Sequence, residues 1–155
     1  MPDSRALIYW DTCVVLDYLR GNTPNATLLK EIARQSQEPS GTIRLVTSVL
    51  TVTEVAFIRN DEGLPQLTDE QLKIIDDFWN YPTGIVLIEF HQLIARQARE
   101  FIRDAQRESR SLKPADAVHL ASALSVNARE LHTDDDRLIR LPSVGGLSIT
   151  KPTLD

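Results

Sequence analysis

The stretch ALIYWDTCVVLDYL, residues 6–19, decides the fold class of this chain. Its first five residues are all apolar, as in a strand that is buried within a sheet. From Thr12 onward the apolar residues recur at helical spacing, and Gly21 is expected to end the helix. A buried strand that passes directly into a helix is the unit from which parallel α/β sheets are built.

The same alternation of strand and helix continues along the rest of the chain. It predicts strands at 6–10, 43–47, 85–89 and 130–133, and an edge strand at 147–149. It predicts helices at 12–19, 25–38, 48–60, 68–80, 91–110, 114–127 and 136–141. We therefore expect a single α/β domain over residues 1–155, a three-layer α/β/α sandwich with a central parallel sheet of four to five strands.

The composition is that of an ordinary globular domain. The chain has 155 residues, of which 42% are hydrophobic and 25% charged. The single cysteine, Cys13, excludes an internal disulfide framework and suits a reducing, cytoplasmic compartment. We expect neither a signal peptide nor a membrane-spanning segment. The formal net charge of -5 counts against a broad basic surface for nucleic acid.

Four acidic residues follow predicted strands or open predicted helices, namely Asp11, Glu54, Asp116 and Asp135. Parallel strands deliver their following loops to one edge of the sheet, so we expect these residues to meet there. Carboxylates that meet without a cation raise one another's pKa values, and a divalent metal would keep them ionised. An all-carboxylate set suits one or two ions of Mg²⁺ or Mn²⁺ and does not suit zinc. The residue types therefore predict a metal-dependent phosphodiesterase.

Each of these acids also has a purely structural explanation. Asp and Glu are favoured near helix N-termini, where they accept hydrogen bonds from free N–H groups and complement the helix dipole. Such positions are held by Asp11, by Asp134 or Asp135, by Asp116 in the first turn after Pro114, and by Glu54 in a capping box that starts at Thr51. Spacing alone therefore leaves both capping and metal binding open.

Four stretches carry these acids, and each resembles a motif of the PIN domain family. The strand, aspartate and apolar helix of the family's opening are matched by IYWDTCVVLDYL (8–19), and its Ser/Thr-led helix with a glutamate by TSVLTVTEVAF (47–57). Its aspartate before an alanine-rich helix is matched by KPADAVHLASAL (113–124), and its Thr-x-Asp before a short helix by LHTDDDRLIRL (131–141). The motifs come in the family's order and span nearly the whole chain.

The resemblance implies a ribonuclease similar to the toxin subunits of bacterial VapBC toxin–antitoxin pairs, with RNA as substrate, an antitoxin as partner and a homodimeric state. It implies that the catalytic, metal-binding acids are Asp11, Glu54, Asp116 and Asp135. Asp135 stands two residues after Thr133, whose hydroxyl would help to shape the site. The run of three aspartates leaves Asp134 and Asp136 open as alternatives. Many relatives carry asparagine where this chain has Cys13.

The helix at 91–110 carries arginines at steps of three or four residues, at Arg96, Arg99, Arg103, Arg107 and Arg110. Acids interleave with them at ion-pair spacing, at Glu100, Asp104 and Glu108. A solvated, self-paired face is therefore favoured over a stripe that binds phosphates. If the stripe is used, Arg99 and Arg103 are the predicted RNA contacts.

Two further features have a structural and a functional interpretation. His119 lies three residues after Asp116 on the same helical face, and a packed or hydrogen-bonded histidine is favoured there over a catalytic one. The apolar stripes of the helices at 25–38 and 68–80 are ordinary core faces or, by the resemblance, surfaces for a homodimer and an antitoxin.

Two other functions stay open. A phosphatase of the haloacid dehalogenase kind needs an aspartate two residues after its nucleophilic one, but Asp11 is followed by Thr12 and Cys13. A catalytically inactive PIN-like scaffold would bind RNA or protein without cutting it. The presence of all four acids favours the ribonuclease over this scaffold.

Overall fold

The computed structural model describes residues 3–80, 84–142 and 144–154. Its strands are β1 (Ala6–Trp10), β2 (Ile43–Ser48), β3 (Ile58–Arg59), β4 (Pro65–Gln66), β5 (Ile85–Ile88), β6 (Glu130–His132) and β7 (Ser148–Thr150). Its helices are α1 (Thr12–Arg20), α2 (Ala26–Gln37), α3 (Val49–Glu54), α4 (Asp69–Asn80), α5 (Gln92–Arg107), α6 (Pro114–Ser125) and α7 (Asp136–Ile139). Among these helices, none is both long and apolar enough to cross a membrane.

Five of the strands form one parallel sheet in the order β5-β2-β1-β6-β7. The first strand lies at its centre, where Tyr9 is opposite Val46 of β2 on one side and Leu131 of β6 on the other. The predicted central parallel sheet is confirmed, with five strands. Because β2 and β6 lie on opposite sides of β1, the strand order reverses at the centre of the sheet. A crevice for ligands is expected there, beyond the carboxyl ends of these central strands.

Helices cover both faces of the sheet. Successive side chains of a strand point to opposite faces, so the apolar residues of β1 need partners on both sides. Ile8 and Trp10 belong to the core cluster that includes residues of α1, α2 and α4. Tyr9, which lies between them, belongs to the cluster formed with α5 and α6. With both faces covered, consecutive apolar residues are favoured in a central strand, as in the sequence of β1. The three-layer architecture is therefore confirmed.

The apolar stripes of α2 and α4 face this core. Leu29 and Ile32 of α2, and Ile75 and Phe78 of α4, are buried against α1 and the sheet. Burial of each such side chain stabilises the fold by about 1.5–3 kcal/mol. Gly21 ends α1 as predicted, in the left-handed conformation with φ of 70°. The core explanation of these stripes accounts for their most buried residues.

The predicted helix at 48–60 is wrong in its second half. The helix α3 ends at Glu54, and the chain then forms an antiparallel hairpin of β3 and β4. The side chain of Asn60 accepts hydrogen bonds from the backbone N–H groups of Glu62 and Leu64, at 3.0 and 2.9 Å. Gly63 has a φ of 80°, which favours glycine. This turn therefore forms in place of the second half of the predicted helix.

Candidate active site

All four predicted acids line one cleft at the carboxyl-terminal edge of the sheet. The cleft has a volume of about 380 Å³ and is lined by Asp11, Thr12, Cys13, Leu16, Glu54, Asp116, His119, Asp134 and Asp135. These residues come from four separate parts of the chain, because the ends of β1 and β6 and the helices α3 and α6 all open onto this edge. The fold thus brings together carboxylates that are far apart in sequence.

Asp11 is the most deeply buried of the four acids and is 5% exposed. Its Oδ1 accepts hydrogen bonds from Val14 N, at 3.2 Å, and from Cys13 Sγ, at 2.9 Å. Burial raises the pKa of Asp11, and hydrogen bonds from Cys13 and Thr133 only partly oppose this effect. Asp11 is therefore the N-cap of α1 and at the same time a wall of the cleft.

Glu54 is the last residue of α3 and is held by two side chains from other elements. Its Oε1 accepts a hydrogen bond from Thr12 Oγ1 at 2.7 Å and lies 2.7 Å from His119 Nε2. Partial burial works to raise the pKa of Glu54, but these contacts outweigh it and lower the pKa. The N-cap of α3 is Ser48, whose Oγ accepts from Leu50 N, so the capping box expected from Thr51 to Glu54 is not formed.

Asp116 and Asp135 differ in how their charges are balanced. Asp116 accepts no side-chain hydrogen bond from any described residue, and its pKa is raised by burial and then by the charge of Asp135. Asp135 caps α7 by accepting from Arg137 N at 2.9 Å. The Arg137 guanidinium also donates to both oxygens of Asp135, which lowers the pKa of that carboxyl.

The three consecutive aspartates point in different directions. Asp134 and Asp135 line the cleft, whereas Asp136 does not; it is exposed and lies 3.8 Å from Lys151 Nζ. Asp134 also accepts a long hydrogen bond from Asn25 Nδ2, at 3.5 Å. Thr133 is buried, and its Oγ1 accepts from Asp135 N at 3.0 Å, so its hydroxyl fixes the turn that carries the fourth acid.

His119 is buried in α6 and reaches the cleft from behind Glu54. Its Nδ1 lies 2.6 Å from the hydroxyl of Tyr9, and its Nε2 lies 3.1 Å from Thr12 Oγ1 as well as contacting Glu54. The favoured interpretation, a packed and hydrogen-bonded histidine, is confirmed. The sequence signal for its contact with the site was present in the three-residue step from Asp116, which places both on one helical face.

The sequence profile of the PIN domain family matches residues 8–144. This chain belongs to the PIN domain family. No curated protein sequence matches it. The assignment decides against a phosphatase of the haloacid dehalogenase kind, and the matched range contains every motif on which the resemblance was based.

Solved structures share the fold of this PIN domain. The DNA-bound VapBC of Salmonella typhimurium is 13% identical with a TM-score of 0.69, covering 96% of this chain and 99% of that chain. VapBC2 of Rickettsia felis, bound to a DNA fragment from its promoter, is 14% identical with a TM-score of 0.66 and coverages of 92% and 96%. VapC20 of Mycobacterium tuberculosis, a sarcin-ricin loop cleaving toxin, is 14% identical with a TM-score of 0.59 and coverages of 83% and 89%.

The acids of the PIN domain are gathered but not drawn together around one point. Within residues 3–80, 84–142 and 144–154, no group of three histidine, cysteine or acidic side chains is close enough to hold a metal ion. Two of the acids are engaged elsewhere, because Glu54 contacts Thr12 and His119 while Asp135 pairs with Arg137. As they stand, the carboxylates of the cleft therefore do not converge closely enough to hold one ion together.

The arginines of α5 lie outside this cleft, and three of them pair with acids of the same helix. Arg99 and Arg103 lie 3.4 and 3.0 Å from the carboxylate of Glu100, and Arg107 pairs with Asp104. More than half of each of these arginine side chains is exposed. The α5 surface of the PIN domain is the solvated, self-paired face that the interleaved charges indicate.

Proposed function

We propose that this PIN domain is a Mg²⁺- or Mn²⁺-dependent endoribonuclease and the toxin of a type II toxin–antitoxin pair. The observation that carries the proposal is the convergence of Asp11, Glu54, Asp116 and Asp135 on one cleft. The family assignment supports it, as does the likeness of the fold to VapC20, which is a sarcin-ricin loop cleaving toxin. We assign catalysis and metal binding to these four residues, and we take residues 1–155 as one domain.

The donor chemistry of the cleft fits a hard divalent cation. All four proposed ligands are carboxylates, which Mg²⁺ and Mn²⁺ prefer over softer donors. The pKa of Asp11 is raised by burial, and that of Asp116 by burial and by neighbouring carboxylates. Raised carboxyl pKa values mean that negative charge is incompletely balanced in the cleft. One or two bound cations would provide that balance.

The residues of the chain would hold the reacting groups in place. When bound, a divalent ion supplies the Lewis acidity that lowers the pKa of a water and stabilises a leaving oxygen. Asp11 is kept in place for this role by the N–H of Val14, and the backbone of Asp135 by the hydroxyl of Thr133. Asp134 lines the same cleft and is the alternative to Asp135 as the fourth ligand.

The activity is tested with purified protein and both structured and single-stranded RNA. Cleavage should require Mg²⁺ or Mn²⁺, stop on addition of EDTA, and fall at least about 100-fold in Asp11→Asn and in Asp116→Asn. Asp76→Asn, which removes the same charge from the exposed face of α4, is the matched control and should cut as the wild type does. Metal-dependent cleavage that survives both site substitutions would refute the assignment of those ligands.

The partners belong to the same proposal. A toxin of this kind acts on RNA in the cytoplasm, as a homodimer, and is held inactive by an antitoxin. The chain has a mass of 17.5 kDa, and light scattering should give about twice this value. Co-expression with the product of a small neighbouring open reading frame should relieve growth arrest and yield a stable complex; growth arrest that no neighbouring gene relieves would speak against the pair.

One observation favours the inactive scaffold as a second candidate. Glu54 and Asp135 already have partners in the side chains of His119 and Arg137, as they would in a protein that never binds metal. Calorimetric titration with Mn²⁺ separates the two functions. Binding that is lost in Asp116→Asn favours the nuclease, and no binding by a folded protein favours the scaffold.

A further inference from the structure

A chain of buried polar groups leads from the cleft into the core between the sheet and α6. Tyr9 is fully buried within the core cluster that the sheet forms with α6, and His119 of α6 is 2% exposed. The Tyr9 hydroxyl lies 2.6 Å from His119 Nδ1, and His119 Nε2 lies 2.7 Å from Glu54 Oε1. Polar groups at such depth destabilise a fold unless each of them has a partner, so this chain calls for an explanation.

The positions of the protons follow from the donors that are available. The backbone N–H of Ser48 donates to the Tyr9 hydroxyl at 3.1 Å, and burial raises the pKa of Tyr9, so the phenol keeps its own proton. That proton is free to be donated to His119 Nδ1. A neutral imidazole that accepts at Nδ1 carries its proton at Nε2, where it is donated to Glu54. Every link then has one donor and one acceptor.

The chain of hydrogen bonds begins and ends on α3. Ser48 is the N-cap of this short helix and Glu54 is its last residue, so Tyr9 and His119 connect its two ends through the core. Thr12, which follows Asp11, donates to the same Oε1 of Glu54. Among the described residues, no hydrogen bond is made to Oε2 of Glu54. One oxygen is therefore fixed, and the other is left for a ligand in the cleft.

We propose that His119, held in its Nε2-protonated form by Tyr9, is a positioning residue that fixes Glu54 as a ligand of the cleft. His119 itself does not contact the ion or the RNA in this role. It is one helical turn after Asp116, and Thr12 is next to Asp11, so the same contacts set the spacing of three acids. This inference rests on the proposed function, in which Glu54 binds the metal.

The protonation state of His119 is tested without metal or activity. Nitrogen-detected NMR of the imidazole side chains should show, for His119, an Nδ1 that accepts a hydrogen bond and an Nε2 that carries the proton. In Tyr9→Phe, which removes the donor to Nδ1 and keeps the aromatic ring, the Nδ1 resonance should move to that of a nitrogen without a hydrogen-bond donor. A protonated Nδ1 in the wild type would overturn the proposed chain of hydrogen bonds.

The positioning role is tested by Mn²⁺ affinity in the folded, full-length protein. His119→Leu fills a similar volume without a donor and should weaken Mn²⁺ binding by about 10–100-fold, as is typical when a partner of a metal ligand is lost. His119→Gln keeps a neutral donor and should bind within about threefold of the wild type. His91→Gln, which changes an exposed histidine that caps α5, is the matched control.

The outcomes separate this inference from the function on which it rests. Wild-type protein that binds no Mn²⁺ overturns the proposed function and the role of His119 with it. Wild-type protein that binds Mn²⁺ and cuts RNA, while folded His119→Leu binds Mn²⁺ equally well, overturns the positioning role alone. If His119→Leu does not fold, Tyr9→Phe decides, because a folded Tyr9→Phe with unchanged affinity overturns it as well.

Discussion

Replacing Asp11 by asparagine is expected to change the stability of the protein in opposite directions without and with metal. Burial raises the pKa of Asp11 in the folded state above its ordinary value of 3.8. Stability is therefore greatest below that value and is lost as pH rises through the raised pKa, because the buried carboxyl must ionise. Asparagine carries no charge and caps a helix as well as aspartate does. At pH 7 and without metal, Asp11→Asn should gain about 1 kcal/mol.

Bound metal is expected to reverse this order, so that the wild type is more stable than Asp11→Asn. A ligand present at 100 times its dissociation constant stabilises the folded state by about 2.7 kcal/mol. For a domain of this length, 1 kcal/mol shifts the melting temperature by about 2–4 °C, so Mn²⁺ should raise that of the wild type by about 5–11 °C. Asp11→Asn lacks one ligand and should show almost none of this shift. The variant should melt about 2–4 °C above the wild type in EDTA and about 3–7 °C below it in saturating Mn²⁺.

The assay is calorimetric or fluorescence-detected melting in EDTA and across a Mn²⁺ titration. Asp76→Asn serves as the control for the loss of one negative charge outside the cleft and should follow the wild type in both conditions. Two results would contradict these expectations. A variant that is less stable than the wild type in EDTA would show that the Asp11 charge is well compensated, and a full Mn²⁺ shift in the variant would show that Asp11 is not a ligand.

Three further predictions follow from particular side chains. Burial and a neighbouring carboxyl raise the pKa of Asp17 to about 6, so the free energy of unfolding falls as the pH rises from about 4 to 6. Asp17→Asn should reduce that fall by about 1 kcal/mol after solvent screening, as measured by urea denaturation at several pH values. Replacing Arg99 and Arg103 by alanine should leave the slope of log K against log salt unchanged for single-stranded RNA, because both side chains are paired with Glu100, whereas a fall of about 1.4 would show two phosphate contacts there. In Cys13→Asn, an amide replaces a weak thiol donor to the first acid, so calorimetry should give about threefold tighter Mn²⁺ binding, whereas weaker binding would contradict this.

The sheet and its covering helices were predictable because burial constrains whole segments. A central parallel strand needs apolar residues on both faces, and the run that ends at Trp10 supplies them. The helix predicted over 55–60 is not formed. The sequence there has a helical pattern but leads into the turn residues Asn60 to Gly63, and contacts in the folded chain decide which of the two forms.

The positions of the acids were predictable, but the contacts of their oxygens were not. Topology places residues that follow parallel strands at one edge, and this requires only the order of the elements. The hydrogen bonds to Glu54 come from residues 42 and 65 positions away in sequence. No periodic pattern encodes such pairs, since they depend on how α1, α3 and α6 pack. The ion pair between Asp135 and Arg137 is local, but it joins the N-cap of α7 to a residue only two positions later, a step that i,i+3 and i,i+4 helical spacing does not describe.

Capping and metal binding are not competing explanations of these acids. A carboxylate has two oxygens with about four acceptor positions, and a helix cap uses one of them. Oδ1 of Asp11 accepts from Val14 N and Oδ1 of Asp135 accepts from Arg137 N, yet both residues line the cleft. The cap removes rotational freedom from the side chain before any ligand arrives, so less entropy is lost on binding. In a nuclease of this architecture, the helix N-termini would thus prepare the carboxylates, and the sequence signal for a cap would also be part of the signal for the site.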